Sequence, residues 1–297
     1  MGTVRKGLRR RGRLLAEALR PPGVDSAAAR GGPGTGPDEG FRADGSFVAP
    51  VAGRLVESPV FILSPVRSGS TLLRVLLNSH SRVRAPHEMH LRTLHVRMDR
   101  EFTAEAMREL RLDKEELEHL LWDRVLDLEL ERSGKDVIVD KTPPNTLMWP
   151  RLHRAWPRAR YLFLLRHPGA IVTSLVNRRD KPDVALIHEE VLEYAERLEE
   201  ARAALNGHTL TYEDLTAEPE KATREICAYL DLEWEPGMLA YGEQDHGTFR
   251  PQMGDWSENI KSGRVQAARG ARGADCAGLP PRLREIAGAW GYEAGAS

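Results

Sequence analysis

Pro59-Val60-Phe61-Ile62-Leu63-Ser64-Pro65-Val66-Arg67-Ser68-Gly69-Ser70-Thr71-Leu72-Leu73 is the stretch from which the rest of the chain can be read. Val60 to Leu63 is a short, unbroken apolar run rich in β-formers, the pattern of a strand buried on both faces of a parallel sheet. A loop of small residues follows. Ser70-Thr71 then opens a helix whose apolar face is Leu72, Leu73, Leu76 and Leu77. Strand, small-residue loop and helix N-terminus together form an anion site, because backbone N–H groups point outward and the helix dipole adds positive potential. Ser68, Ser70 and Thr71 add hydroxyl donors, and Arg67 adds a permanent charge on a planar fork of N–H groups. A nucleotide triphosphatase loop would need a second Gly and a Lys directly before its Ser/Thr. Here Ser70 precedes Thr71, and the positive charge stands before Gly69.

Outward from this stretch, apolar runs alternate with helical periodicity. Val83 to Leu91 reads as a short extended piece ending in a loop at His87-Glu88. Residues 103–131 read as helices with Leu117, Leu120, Leu121, Val125 and Leu128 on one face. Val137-Ile138-Val139 is a second buried strand closing on Asp140-Lys141-Thr142-Pro143-Pro144, with Asn145 placed to cap the next short helix. Tyr161 to Leu165 is a third strand, followed by Arg166-His167-Pro168 and a helix to about Asn177. Residues 187–205 form an amphipathic helix, Thr209 to Tyr212 a fourth strand, and Glu213 to Leu230 a loop and a further helix. Such alternation predicts an α/β protein, a three-layer α/β/α arrangement with a mostly parallel central sheet. Ligands in such sheets lie beyond the carboxyl ends of the strands. The loop 64–71, Lys141 and Arg166 all fall at such ends and should converge on one crevice.

The chain has 297 residues, 41% of them hydrophobic and 29% charged, enough for one good α/β core plus a tail. A net charge of −1 gives no ground for a nucleic-acid partner, so any anion site must be a local cluster. Two cysteines, Cys227 and Cys276, without C-x-x-C spacing fit a reducing cytoplasm better than a disulfide framework or a zinc site. No apolar run approaches the roughly 18 residues of a transmembrane helix. The first twenty residues are basic, with Arg5, Lys6, Arg9, Arg10, Arg11, Arg13 and Arg20 around Leu8, Leu14, Leu15 and Leu19. No signal-length apolar core follows them, which argues for a cytoplasmic chain. This run reads either as a loose tail or as a short surface helix making weak peripheral contact with a partner or membrane. From Pro21 to about Gly45 the chain is rich in Gly, Ala and Pro and reads as a flexible linker. The expected organisation is a basic tail and linker over residues 1–45 and one folded domain over 46–297.

Arg67-Ser68-Gly69-Ser70-Thr71-Leu72 resembles the 5′-phosphosulfate loop of sulfotransferases that use 3′-phosphoadenosine 5′-phosphosulfate (PAPS), and the remaining motifs of that family follow in order. Arg166-His167-Pro168 with Ser174 eight residues after Arg166 resembles its 3′-phosphate motif, a bidentate cation at a strand end and a hydroxyl on the next helix. Glu88 stands 21 positions after Arg67. That is where the tyrosylprotein and bacterial branch carries its catalytic Glu. Lys141 in Asp140-Lys141-Thr142-Pro143 resembles the Lys that approaches the transferring group. Tyr212-Glu213-Asp214 resembles the segment whose Tyr lies near the adenine. Trp256 to Arg264 resembles the late loop that folds over the cofactor, where Lys261, Ser262, Gly263 and Arg264 would hold the 3′-phosphate and Ser257 would face the bridging oxygen. The resemblance covers about Pro59 to Arg264, and Arg67, where many members have Lys, points to the bacterial and protein-tyrosine branch.

The resemblance therefore implies a P-loop-like sulfotransferase fold. It also implies transfer of a sulfuryl group from PAPS to a hydroxyl of a small-molecule acceptor, such as a secondary metabolite or glycosylated compound, releasing 3′,5′-adenosine bisphosphate. Glu88 would take the hydroxyl proton, with His87 as the competing base, while Arg67 and Lys141 would hold developing charge. A metal set of His87, Glu88 and His90 has the wrong spacing for H-E-x-x-H, and no metal is expected. Two other classes stay open: a magnesium-dependent nucleotide kinase built on Asp140, and a non-catalytic module that binds a nucleotide.

Overall fold

A computed structural model describes residues 53–247, 258–267, Cys276 and 278–292. The expected tail, linker and domain start, together with Ser257, lie outside these residues. Strands β1 (Val60–Leu63), β2 (Val83–Arg84), β3 (Val137–Asp140), β4 (Arg160–Leu165) and β5 (Gly207–Thr211) form one sheet in the order β2-β3-β1-β4-β5. Every pairing in it is parallel, with Val60 opposite both Val139 and Arg160. The predicted three-layer arrangement around a parallel sheet is the observed one. The extended piece after the first helix is an edge strand, β2, in register with β3.

Alternation along the central strands divides the core in two. Phe61, Leu63, Tyr161, Phe163 and Leu165 face one layer, where they meet Trp122, Trp156, Ile187, Leu198 and Leu283. Val60, Ile62, Leu162 and Leu164 face the other, against Leu73, Leu76, Leu215 and Ile226. Helix α1 (Ser70–Asn78) belongs to the second layer. Helix α2 (Glu101–Glu109) buries no residue. The first layer is built from α3 (Lys114–Ser133), α4 (Trp149–Ala155), α5 (Pro168–Val176) and α6 (Val184–Ala204), while α7 (Tyr212–Ala217) and α8 (Pro219–Tyr229) return to the second. The α9 turn (Glu258–Lys261) and α10 (Pro281–Ala289) complete the described chain. Both cysteines are buried, Cys227 in the second layer with its Sγ 3.6 Å from Met238 Sδ, and Cys276 in the first.

The C-terminal end of α1 is closed by Lys135, whose Nζ donates to the carbonyls of Asn78 (3.0 Å), His80 (3.0 Å) and Val83 (2.8 Å). A cation there satisfies the carbonyl of Asn78, the last residue of the helix, and opposes the negative end of its dipole.

The block 103–131 is helical as expected and divides in two, because Asp113 caps a fresh start by accepting from Glu116 N at 2.7 Å. Two local expectations are corrected. The buried face of α3 is Glu116, Glu118, His119, Trp122, Asp123 and Leu126, not the leucine face read from the sequence, and Leu121 is exposed. The acids win burial because each finds donors. Glu116 takes Arg54, Glu118 takes Arg151, and Asp123 accepts from Leu55 N, Val56 N and Trp156 Nε1. Asn145 is not a cap. Its Nδ2 donates to Asp140 Oδ2 at 2.7 Å from inside a 3-10 turn, Pro143–Met148.

His119, buried in this ionic cluster, has its Nε2 placed to accept from Arg151 Nε at 3.3 Å. Burial, with the nearby arginines, pushes its pKa down to about 3. The unfolded chain takes up this proton near pH 6.5, so between the two values it holds more protons than the folded state. The stability His119 confers is fully present above about pH 6.5 and is lost as pH falls toward 3, at up to ~1.4 kcal/mol per pH unit. His119→Gln is expected to flatten this limb in denaturant titrations at pH 6.5, 5.5 and 4.5. A slope matching wild type would assign the acid sensitivity to the carboxylates of α3 instead.

Candidate active site

The loop between β1 and α1 holds two left-handed residues one apart, Arg67 at φ 64° and Gly69 at φ 84°. Gly69 is the N-cap of α1, yet no side chain caps the helix and its first turn carries no acid. Ser68 is fully buried, and Ser70 and Thr71 are nearly so. The ring of Tyr212 lies against Gly69, where an added Cβ would come within 2.2 Å of it. Tyr212 starts α7 rather than ending β5, because Thr211 Oγ1 accepts from Asp214 N (3.0 Å) and caps the helix one residue earlier than expected.

Arg166, leaving β4, reaches this loop from the side. Its Nη1 donates to Arg67 O at 2.5 Å, and its guanidinium lies 4.5 Å above the Tyr212 ring. Arg67 in turn donates through Nε to Ser174 Oγ on α5 at 3.3 Å. The two motifs quoted separately from the sequence therefore form a single cross-linked wall. Within it, among the described residues, Ser68 Oγ and Arg166 Nε are buried polar atoms with no hydrogen-bond partner. Buried donors are rarely left so. Paired with an uncapped helix N-terminus, they fit an anion seated on the loop.

Lys141, one residue beyond β3, lies under the same loop. Its Nζ is 3.4 Å from Thr71 Oγ1 and forms an ion pair with Glu88 Oε1. Desolvation lowers the pKa of this buried ammonium, with the Glu88 carboxylate opposing the shift. Glu88 Oε2 lies 3.5 Å from His90 Nε2. The Glu88 loop is anchored from below, since Thr142 Oγ1 accepts from Met89 N (3.1 Å) and His90 N (3.4 Å). Thr142 itself donates to Asp140 Oδ1 at 2.9 Å. The His87 ring instead packs on Gly247. Arg74, which the sequence reading passed over, is buried on the Thr71 side of α1 and donates to Ala85 O at 2.9 Å. Burial and the proximity of Arg84 lower its pKa to about 10, while Glu88 pulls it the other way. The available signal was an arginine inside the apolar run Leu72-Leu73-Arg74-Val75-Leu76-Leu77.

Asp140 is fully enclosed, and both of its oxygens accept internal hydrogen bonds, from Thr142 and Asn145. Burial pushes its pKa up. A carboxylate so committed cannot also serve magnesium without dismantling the end of β3, which argues against the kinase alternative. Among the described residues no group of three or more His, Cys, Asp or Glu side chains is arranged to hold a metal ion. Lys261, Ser262 and Arg264 are exposed. The turn they share is seated by Gly242 N donating to Gly263 O (3.2 Å) and Tyr241 OH donating to Arg264 O (3.0 Å).

Fold and site define an α/β protein with basic and hydroxyl side chains gathered at the carboxyl ends of β1, β3 and β4. Residues 59–236 match the model of the sulfotransferase family, and the chain belongs to that family. It is similar to protein-tyrosine sulfotransferase 1 of Danio rerio, 25% identical over 205 residues, which are 62% of this chain and 56% of that protein. It is 32% identical to the nodulation protein NoeE of Sinorhizobium fredii over 136 residues, 42% of this chain and 32% of that protein. Matches to these curated relatives thus span between a third and somewhat over half of their lengths. Among solved structures, the fold is shared with a sulfotransferase domain from the curacin biosynthetic pathway (TM-score 0.59, 23% identity, 81% of this chain and 99% of that one). It is shared equally with the sulfotransferase domain of the Synechococcus PCC 7002 olefin synthase (TM-score 0.62, 22% identity, 80% and 96%). Among the described residues no helix is long and apolar enough to cross a membrane.

Proposed function

We propose that this chain is a PAPS-dependent sulfotransferase that sulfates a hydroxyl of a small-molecule acceptor and acts in the cytoplasm. The observation that carries this reading is the convergence of Arg67, Arg166, Ser174, Lys141 and Glu88 on one loop, where Ser68 Oγ and Arg166 Nε are buried without a hydrogen-bond partner. Ser68, Gly69, Ser70 and Thr71 with the α1 N-terminus would hold the 5′-phosphosulfate. Arg166 and Ser174 would hold the 3′-phosphate, Lys261 to Arg264 would close over it, and Tyr212 would support the loop beside the adenine end. When bound, the donor supplies an activated sulfuryl group whose leaving group is a phosphate. Lys141, beside Thr71, places positive charge at the loop. Glu88 takes the proton of the acceptor hydroxyl at Oε2, since Oε1 is held by Lys141. The polar and charged residues at 177–183, which would line the acceptor mouth, favour a polar or glycosylated acceptor. The names of several relatives make a peptide tyrosine the second reading.

Thermal unfolding tests the donor assignment. 3′,5′-Adenosine bisphosphate at ~100 times its Kd is expected to add about 2.7 kcal/mol of stability. Arg166→Ala should abolish the shift, and ATP with magnesium should give none. A shift with ATP–magnesium alone would overturn the assignment.

A further inference from the structure

Sequence outside the family match packs against the turn that follows Arg166. Residues 59–236 carry that match, yet Cys276 and Tyr292 are buried against the turn that follows β4. Tyr292 OH donates to Glu213 Oε2 at 2.5 Å. The other oxygen of that carboxylate, Oε1, accepts from His167 N at 3.3 Å. The Tyr292 ring meets the His167 ring edge-on, with centroids 5.0 Å apart and an interplanar angle of 61°. His167 Nδ1 accepts from Gly169 N at 3.0 Å, which places the neutral ring's proton on Nε2, 3.3 Å from Cys276 Sγ. Three side chains, of Tyr292, Glu213 and Cys276, thus enclose His167, the residue that follows Arg166.

Glu213 is the pivot. Its neighbour Tyr212 carries the guanidinium of Arg166 on its face and abuts Gly69. Its own carboxylate fixes the backbone of His167, the residue after Arg166. A shift of that carboxylate would move both the backbone that launches Arg166 and the ring on which its guanidinium rests. Tyr292 holds the carboxylate from the far side. Resting on the donor-site reading above, we infer that Tyr292 and Glu213 are positioning residues for the 3′-phosphate subsite, so that Tyr292, beyond the family match, takes part in setting the donor site. Tyr292 touches neither Arg67 nor the loop 68–71 in any described hydrogen bond, so its influence passes through Glu213 and His167.

The test compares two nucleotides that differ only in the 3′-phosphate. Calorimetric titrations of the full chain with 3′,5′-adenosine bisphosphate and with adenosine 5′-phosphate give a ratio of dissociation constants that isolates that group. Tyr292→Phe keeps the ring against His167 and removes only the hydroxyl. It is expected to weaken the bisphosphate roughly three- to tenfold, in keeping with one hydrogen bond to a charged group acting through a relay, and to leave the monophosphate unchanged. Glu213→Gln, which retains an acceptor for His167 N, should lie between wild type and Tyr292→Phe. Trp290→Phe is the control, because it deletes a hydrogen bond to Glu199, 2.8 Å long, that involves none of Glu213, His167, Cys276 and Tyr292. It should lower the melting temperature and leave the ratio alone. Equal weakening of both nucleotides by Tyr292→Phe, or an unchanged ratio, would overturn the positioning role while leaving the donor site standing. A wild-type chain that binds neither nucleotide would overturn the donor site and this role with it.

Discussion

Replacing Lys141 by methionine is expected to remove about 3 kcal/mol of stability at neutral pH, because it leaves the Glu88 carboxylate enclosed without its counter-charge. The pair is asymmetric in exposure, Lys141 at 1% and Glu88 at 12% of the side chain. An ammonium so placed is costly to keep charged, and Glu88 is the partner that offsets that cost. The double variant Lys141→Met/Glu88→Gln should recover most of the loss, since replacing both charges with shapes of similar volume removes the desolvation penalty as well as the attraction. Urea titrations of wild type, the two single variants and the double variant close the cycle. Additive effects would mean that the two side chains do not sense each other. Glu88→Gln should also slow turnover by about 10²- to 10⁴-fold, measured as bisphosphate release from the donor with acceptor present, while bisphosphate affinity stays near wild type.

Gly69→Ala is the second large effect expected. At φ 84° an alanine is strained by about 1 kcal/mol, and its methyl group would strike the Tyr212 ring 2.2 Å away. The ring cannot retreat freely, because Arg166 rests on it. Relief must come from the loop, which would shift the α1 N-terminus and the buried hydroxyl of Ser68 together. Bisphosphate affinity should fall about a hundredfold, the equivalent of ~2.7 kcal/mol, with a melting point lowered by several degrees. Calorimetry on the variant decides it. An affinity within threefold of wild type would show that the loop tolerates a different path and that its left-handed turn is not a requirement of the site.

What could be read from residues alone was whatever depends on short spacing. The run Val60 to Leu63, the small-residue loop and the leucines after Thr71 define β1, the turn and α1 without help from distant contacts. Lys141 and Arg166 were found because each directly follows an apolar strand, and parallel strands deliver their ends to one edge of the sheet. The misreadings lie where long-range polar pairing overrides hydropathy. On α3, acids displaced leucines from the core because Arg54, Arg151 and three other donors sit opposite them. Tyr212 was assigned to a strand because its β propensity outweighed the one-residue cap at Thr211. Arg74 looked like an interruption of an apolar helix, and only the packing of Ala85 and Glu88 around it gives it a place. The tie between Tyr292 and Glu213 spans 79 positions, beyond any local pattern.

The two thiols have a use of their own. Cys227 belongs to the layer that packs α1 and α8, Cys276 to the layer that packs α3, α5 and α6, and the chain has no other cysteine. Both are sealed, so an alkylating reagent reaches each only when the structure around it opens. Each side of the sheet thus carries its own built-in clock. Timed labelling followed by peptide mass analysis would read the opening of the two layers separately in one sample, with no residue changed.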